Sequence, residues 1–122
     1  MFALVTVHAL NLTKKYSNRE AQNAIRHFLW VAGLSLVMGR DHARSIAAAH
    51  EFGLLNFAEN RADSRRDRAN NAFTLTWMKN KYGNRRVAIS GVYSYMLSLR
   101  KTAERLFNEG KFTCVKACGR AS

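Results

Sequence analysis

Two of the four histidines in this chain stand in stretches otherwise suited to packing. His27 follows Arg26 and opens the apolar run from Phe28 to Met38, with Asn23 and Trp30 at three- and four-residue spacing on its helical face. His50 closes the run Ala47 to Ala49 and is followed by Glu51. A third cluster, Asp67, Asn70 and Asn71, is interleaved with Arg65, Arg66 and Arg68. Two imidazoles, a carboxylate and a guanidinium make a set suited to hydrolytic or phosphoryl-transfer chemistry. One imidazole takes a proton, a second donor protonates the leaving group, and the guanidinium holds the negative charge that develops. The same imidazoles and carboxylate suit a divalent metal equally well. The candidate catalytic residues are therefore His27, His50, Glu51 and Asp67. The candidate substrate-binding residues are Arg26, Trp30, Asn70, Asn71, Arg65, Arg66 and Arg68, and metal use stays open.

Each cluster also has a plain structural reading. Burying an unpaired Arg26 costs several kcal/mol, so a packing helix would carry leucine there unless the arginine sits at a rim beside a carboxylate. His27 can be a satisfied core histidine. His50 and Glu51 lie about 100° apart around a helix axis, so one can face the core while the other stays at its margin. Position 54 is Leu54, which excludes the zinc-protease spacing of two histidines four apart. Asparagine is a poor interior helix residue, so Asn70-Asn71 calls for a reason. An interhelical hydrogen-bond network would supply one.

Helices must position these groups. The chain has 122 residues, 48% of them apolar and none of them proline. That length suits a single domain with its own core, and the composition excludes wholesale disorder. Apolar periodicity predicts five helical segments. The first spans about 2–16. Ser17 or Asn18 caps a second, which runs to Met38 and ends at Gly39. Asp41 caps a third, reaching about Asn60 with Ile46, Ala49, Leu54 and Phe57 inward. Arg61 to Ser64 reads as a polar joint, and Asp63 or Ser64 caps a fourth helix to Tyr82 with Ala69, Phe73 and Trp77 at helical spacing. A fifth runs from about Arg86 to Asn108, with Val92, Tyr95, Met96, Leu99, Ala103 and Leu106 inward. The tail 112–115 reads as a short strand or an irregular cover. Short joints favour antiparallel neighbours, so the expected fold is an all-α, compact bundle of about five helices in a single domain.

Twenty basic residues against eight acidic ones give a net charge of +12. Such an excess points to nucleic acid, an anionic membrane surface or an acidic protein as partner. No stretch has the apolar length of a membrane span. The start, 2–12, lacks the basic leader and cleavage site of a signal peptide. A lone methionine before an apolar start fits a domain cut from a longer protein. Cys114 and Cys118 form no zinc site by themselves, and both a local disulfide and two thiols are compatible with their spacing.

Three segments together carry a family resemblance: Arg26-His27-x-x-Trp30, Ala49-His50-Glu51-x-Gly53 and Asp67-x-x-Asn70-Asn71. In order and spacing the chain resembles a helical domain family of unassigned function found near the C-termini of bacterial Rhs-type and other polymorphic toxins. The match covers roughly 23–82. It departs from the family pattern at Phe73, Thr74 and Leu75, where a glycine is frequent. The resemblance implies an antibacterial effector domain, secreted or delivered into a target bacterium, acting in its cytoplasm and neutralised by a cognate immunity protein. An acidic immunity partner would be steered rapidly to so basic a surface, and outside that complex a monomer is expected.

Three functions compete on these residues. The first is a toxin with hydrolytic, preferentially nuclease, activity on RNA or DNA, since phosphate neutralisation drives binding of such a basic domain. The second is a membrane-active basic helical toxin. The third is a non-catalytic nucleic-acid-binding module, with Arg61, Arg65, Arg66, Arg68, Lys79, Lys81, Arg85 and Arg86 along phosphates. The third leaves His27, His50 and Asp67 without a role.

Overall fold

The computed structural model describes residues 2–54 and 61–121, with side chains described for 2–49 and 62–121. Its helices are α1 (Phe2–Thr13), α2 (Arg19–Met38), α3 (Arg40–Leu54), α4 (Arg61–Tyr82) and α5 (Val92–Asn108). A single 3-10 turn, Ile89–Gly91, precedes α5. No strand occurs among the described residues, and the tail after Asn108 is an irregular cover. The all-α bundle expected from apolar periodicity is therefore the fold.

α2 is the central rod. It contacts the other four helices, with α1 and α5 as one neighbouring pair and α3 and α4 as the other. From His27 to Val37 every residue of α2 is buried, the mark of a helix surrounded on all sides. Asn18 starts it, its side-chain oxygen accepting from the amides of Glu20 and Ala21 at 2.9 and 3.2 Å. Gly33 faces the α1–α5 pair. A Cβ there would lie 2.8 Å from Val5 and 2.9 Å from the Met96 sulfur, so hydrogen is the side chain that lets three helices close.

Gly39 joins α2 to α3 alone. Its φ of 93° is open to glycine and costly for other residues. Its amide donates to Ser35 O and its carbonyl accepts from Ala43, so it ends one helix and begins the next. Arginines close this end of the bundle. Arg86 donates twice to Val37 O, at 2.7 and 3.2 Å, and Arg40 donates to Gly83 O. These bonds satisfy carbonyls that a helix end leaves orphaned.

Several boundaries differ from the expected ones. α1 stops at Thr13 rather than Tyr16, and the chain turns through Lys14 and Lys15. Asp41 is no cap: it sits inside α3, exposed, and pairs with Arg44 at 3.1 Å, while Gly39 opens the helix. Arg61 to Ser64 is the first turn of α4 and not a joint. The predicted stretch of the third helix through Phe57 to Asn60 lies outside the described residues. α3 buries Ala43 and Ala47 and only half-buries Ile46, leaving Ala49 exposed. Ala69 is likewise exposed on α4.

The inward face of α4 is polar along its first half. Ser64, Asp67, Asn70, Asn71 and Thr74 are buried there, and only then come Leu75 and Met78. Phe73 and Trp77 flank that face half-buried and stack edge-on with Phe112 and Phe28 respectively. Cys114 and Cys118 form a disulfide, which settles the alternative left by their spacing.

Candidate functional site

The polar half of α4 faces the start of α2, and the side chains between them form one connected network. His27 Nε2 lies 3.4 Å from Asp67 Oδ2, with side-chain exposures of 11% and 5%. The opposite ring nitrogen, Nδ1, lies 3.4 Å from Asn71 Oδ1. Asp67 Oδ1 accepts from Asn23 Nδ2 and from Arg66 Nε, both at 2.9 Å. Arg66 reaches on to Glu20 at 3.6 Å and to Asp63 at 3.5 Å. Glu20 in turn accepts from the amide of Val115 at 2.7 Å, beside the disulfide loop. A buried carboxylate demands such partners, and Asp67 has them on both oxygens.

Helical spacing produces this arrangement. Asn23 and His27 are four apart on α2, and Asp67 and Asn71 are four apart on α4. Each pair projects from one face of its helix, so facing helices bring all four side chains together. A carboxylate can only accept, so a ring nitrogen that bonds Asp67 donates to it, and Asp67 thereby orients the imidazole. The role of the opposite nitrogen against Asn71 Oδ1 follows from the tautomer.

Two concavities adjoin this network, and His27 itself lines the first. On the α1 side is a pocket of about 130 Å³ whose lining includes Phe2, Thr6, Arg26, His27 and Trp30. Trp30 Nε1 donates to Thr6 Oγ1 at 3.0 Å, and Arg26 Nε donates to Thr13 Oγ1 at 3.0 Å. Burial pulls the Arg26 guanidinium below the ordinary arginine value. On the other side lies a cleft of about 480 Å³ between α3 and α4, with Asn71 in its wall. Four cations, Arg40, Arg44, Arg68 and Lys79, surround a floor of Ala47, Ala48, Ala72 and Leu75.

A family model described as "Domain of unknown function (DUF6973)" matches residues 4–101. The chain belongs to the DUF6973 family. No curated protein and no solved structure matches it.

Of the residues singled out in the sequence, the structure brings together His27, Asp67 and Asn71, with Arg66 behind the carboxylate and Arg26 and Trp30 beside the smaller pocket. The side chains of His50 and Glu51 lie outside the described residues. Asn70 is placed elsewhere. Its amide donates to Thr113 O at 3.0 Å and its oxygen accepts from Thr113 N at 2.8 Å, so it clamps the tail. Arg65 and Arg68 are exposed, and only Arg68 lines the cleft. No group of three or more His, Cys, Asp or Glu placed to hold a metal occurs among the described residues. Sequence reasoning missed Arg40, Arg44 and Lys79 as a set. The four-residue step from Arg40 to Arg44 was the available signal, but its partners lie on a helix whose apposition no local pattern reveals.

Proposed function

We propose that this domain is a hydrolytic toxin effector acting on nucleic acid, with His27 as the proton-transferring group. The observation that carries this reading is the buried contact of His27 with Asp67, with the opposite ring nitrogen beside Asn71, a residue that also lines the basic cleft. A carboxylate on one imidazole nitrogen and chemistry at the other is the logic of general acid–base catalysis. In phosphodiester hydrolysis, water attacks phosphorus and the P–O bond to the leaving sugar oxygen breaks. His27 accepts the proton released by the water, and the leaving oxygen gains one from a second donor. Contacts of 3.4 Å are long for a resting hydrogen bond, and such contacts shorten when substrate binds. The net charge of +12 favours a polyanionic substrate.

The resemblance to Rhs-type toxin C-terminal domains supports the biological setting. In that setting the domain is delivered into a target bacterium and held inactive by an acidic immunity protein. The test is incubation of the purified domain with RNA and with DNA, with and without divalent metal, beside His27→Gln and Asp67→Asn. Both variants are expected to keep the helical circular-dichroism spectrum and to lose about 10²- to 10⁴-fold of the cleavage rate. Undegraded substrate under every condition with the unaltered domain refutes the proposal.

One observation favours a second reading. α1 exposes Phe2, Leu4, Val7 and Leu10 at 42–47% of their surface, as a helix lying on lipid would. No helix among the described residues is long and apolar enough to cross a membrane. Leakage from anionic vesicles that persists in His27→Gln would support membrane action over hydrolysis.

A further inference from the structure

We infer that the cleft between α3 and α4 binds the sugar-phosphate backbone of a single nucleic-acid strand and leads it past Asn71 to His27. The binding half of this inference stands on the cleft alone, and the delivery half rests on the hydrolytic reading above.

The cleft is built by two helix faces. Arg40 and Arg44 are one turn apart on α3, while Arg68 and Lys79 stand eleven residues apart on α4. By helix rise that separation is about 16 Å, so the cations are strung along the groove rather than gathered at a point. No carboxylate lines the cleft among the described residues, and neither Arg68 nor Lys79 makes an ion pair there. Arg44 pairs only with exposed Asp41, a surface contact of little energetic weight. Positive charge in a concave site focuses the field on an incoming anion.

A spread of cations fits a chain of phosphates better than one phosphate group. The volume, about 480 Å³, is that of a small-ligand site. A site of that size matches a short stretch of one strand better than the body of a duplex. The floor is apolar, with Leu75 as its largest member, so sugars and bases can rest on it without hydrogen bonds that read sequence. A positively charged groove that tracks the backbone is one of the means by which proteins hold single strands. Asn71 completes the argument. It lines this cleft and also stands 3.4 Å from His27 Nδ1. A strand lying in the groove thus meets the side chain that covers the working edge of the imidazole.

The test uses the intact domain and a fluorescein-labelled phosphorothioate oligo-thymidylate, read by fluorescence anisotropy over a salt series. Arg44→Glu with Lys79→Glu reverses two cleft charges. Lys101→Glu with Lys111→Glu makes the same charge change on α5 and its C-terminal turn, and melting curves check both for folding. The cleft variant is expected to bind at least tenfold more weakly. Its salt slope should be shallower by about 1.4, from about 0.7 per lost strand contact. The α5 variant should stay within about threefold of the unaltered domain, and a duplex of the same length should bind more weakly than the single strand. Equal losses in the two variants, equal affinity for duplex, or no binding by the unaltered domain would each overturn the inference. Cleavage of an ordinary oligonucleotide separates the two readings. Lost binding in the cleft variant with no cleavage by the unaltered domain keeps the cleft and removes hydrolysis. Cleavage with unimpaired binding in the cleft variant does the reverse.

Discussion

α2 has two seams of opposite character. Around Gly33, toward α1 and α5, it is apolar and close, admitting Val5 and Met96 at distances no side chain would allow. Toward the first half of α4 it is polar, with His27 and Asn23 meeting Asn71 and Asp67. Both seams are buried, so both shed water when the chain folds. The apolar seam gains from that directly, because burial of apolar surface is the main favourable term in folding. The polar seam must first recover the hydration it loses, and buried ionic groups frequently only break even against well-packed apolar ones. A sequence under no demand but stability would place leucine at 67 and 71. The contrast teaches that α5 meets α2 through apolar packing, whereas the first half of α4 gives its buried face to a polar network, a choice that the proposed hydrolytic role would explain.

The largest effect on stability is therefore expected on the apolar seam. Met96 is fully buried against Gly33, and Met96→Ala removes its contacts and leaves a cavity. The expected loss is about 2–5 kcal/mol, read from chemical denaturation. Cleavage per folded molecule should stay near normal. A variant that folds well and yet cleaves poorly would break the division between the seams.

Next in size is Asn70→Ala. Asn70 and Asn71 are neighbours in sequence, yet Asn70 clamps Thr113 of the tail while Asn71 faces His27. Removing the clamp leaves a backbone donor and acceptor without their partner, a loss of about 1–2 kcal/mol at a partly buried site. Amide exchange should quicken at Thr113 and its neighbours, with the cleavage rate nearly unchanged. A cleavage defect larger than the stability loss would return Asn70 to the substrate side and move the seam's border.

The same two asparagines show what a sequence can and cannot disclose. That Asp67, Asn71 and Thr74 share one face follows from their spacing alone, and so does the inward set Val92, Met96, Leu99, Ala103 and Leu106 of α5, where Tyr95, expected with them, is only half-buried. Helix periodicity is local, and so it is legible. The role of Asn70 is not, because its partner lies 43 residues away in a tail without periodicity. α4 also misleads an apolar reading. Ala69, Phe73 and Trp77 mark a stripe, but the face that turns inward is the polar one beside it. At the start of α3, Asp41 after glycine resembles a cap, whereas Gly39 itself performs that task. The basic cleft was invisible for a tertiary reason: α3 and α4 each carry two of its four cations, and only their packing makes one groove.

The smallest effect concerns a polar contact on the apolar side, at its rim. Tyr16, buried just after α1, donates to Glu104 of α5, and Lys15 lies 3.6 Å from the same carboxylate. Burial raises the phenol above its ordinary 10.0, and Glu104 raises it further by hydrogen bond and charge, against a smaller opposing effect of Arg100. An acid whose pKa is raised by folding binds its proton more tightly in the native state. Its stabilising effect is complete below the unfolded value and is lost as pH climbs above it, since the unfolded chain then releases the proton first. The domain should therefore lose stability above about pH 10. Tyr16→Phe, which has no proton to release, should be less stable at neutral pH by about 1 kcal/mol for the lost bond and show a flatter alkaline decline. Parallel declines in the two proteins would mean that Tyr16 ionises alike in both states. Cleavage should not respond to this change, because the Tyr16 hydroxyl bonds Glu104 of α5 rather than the polar face between α2 and α4.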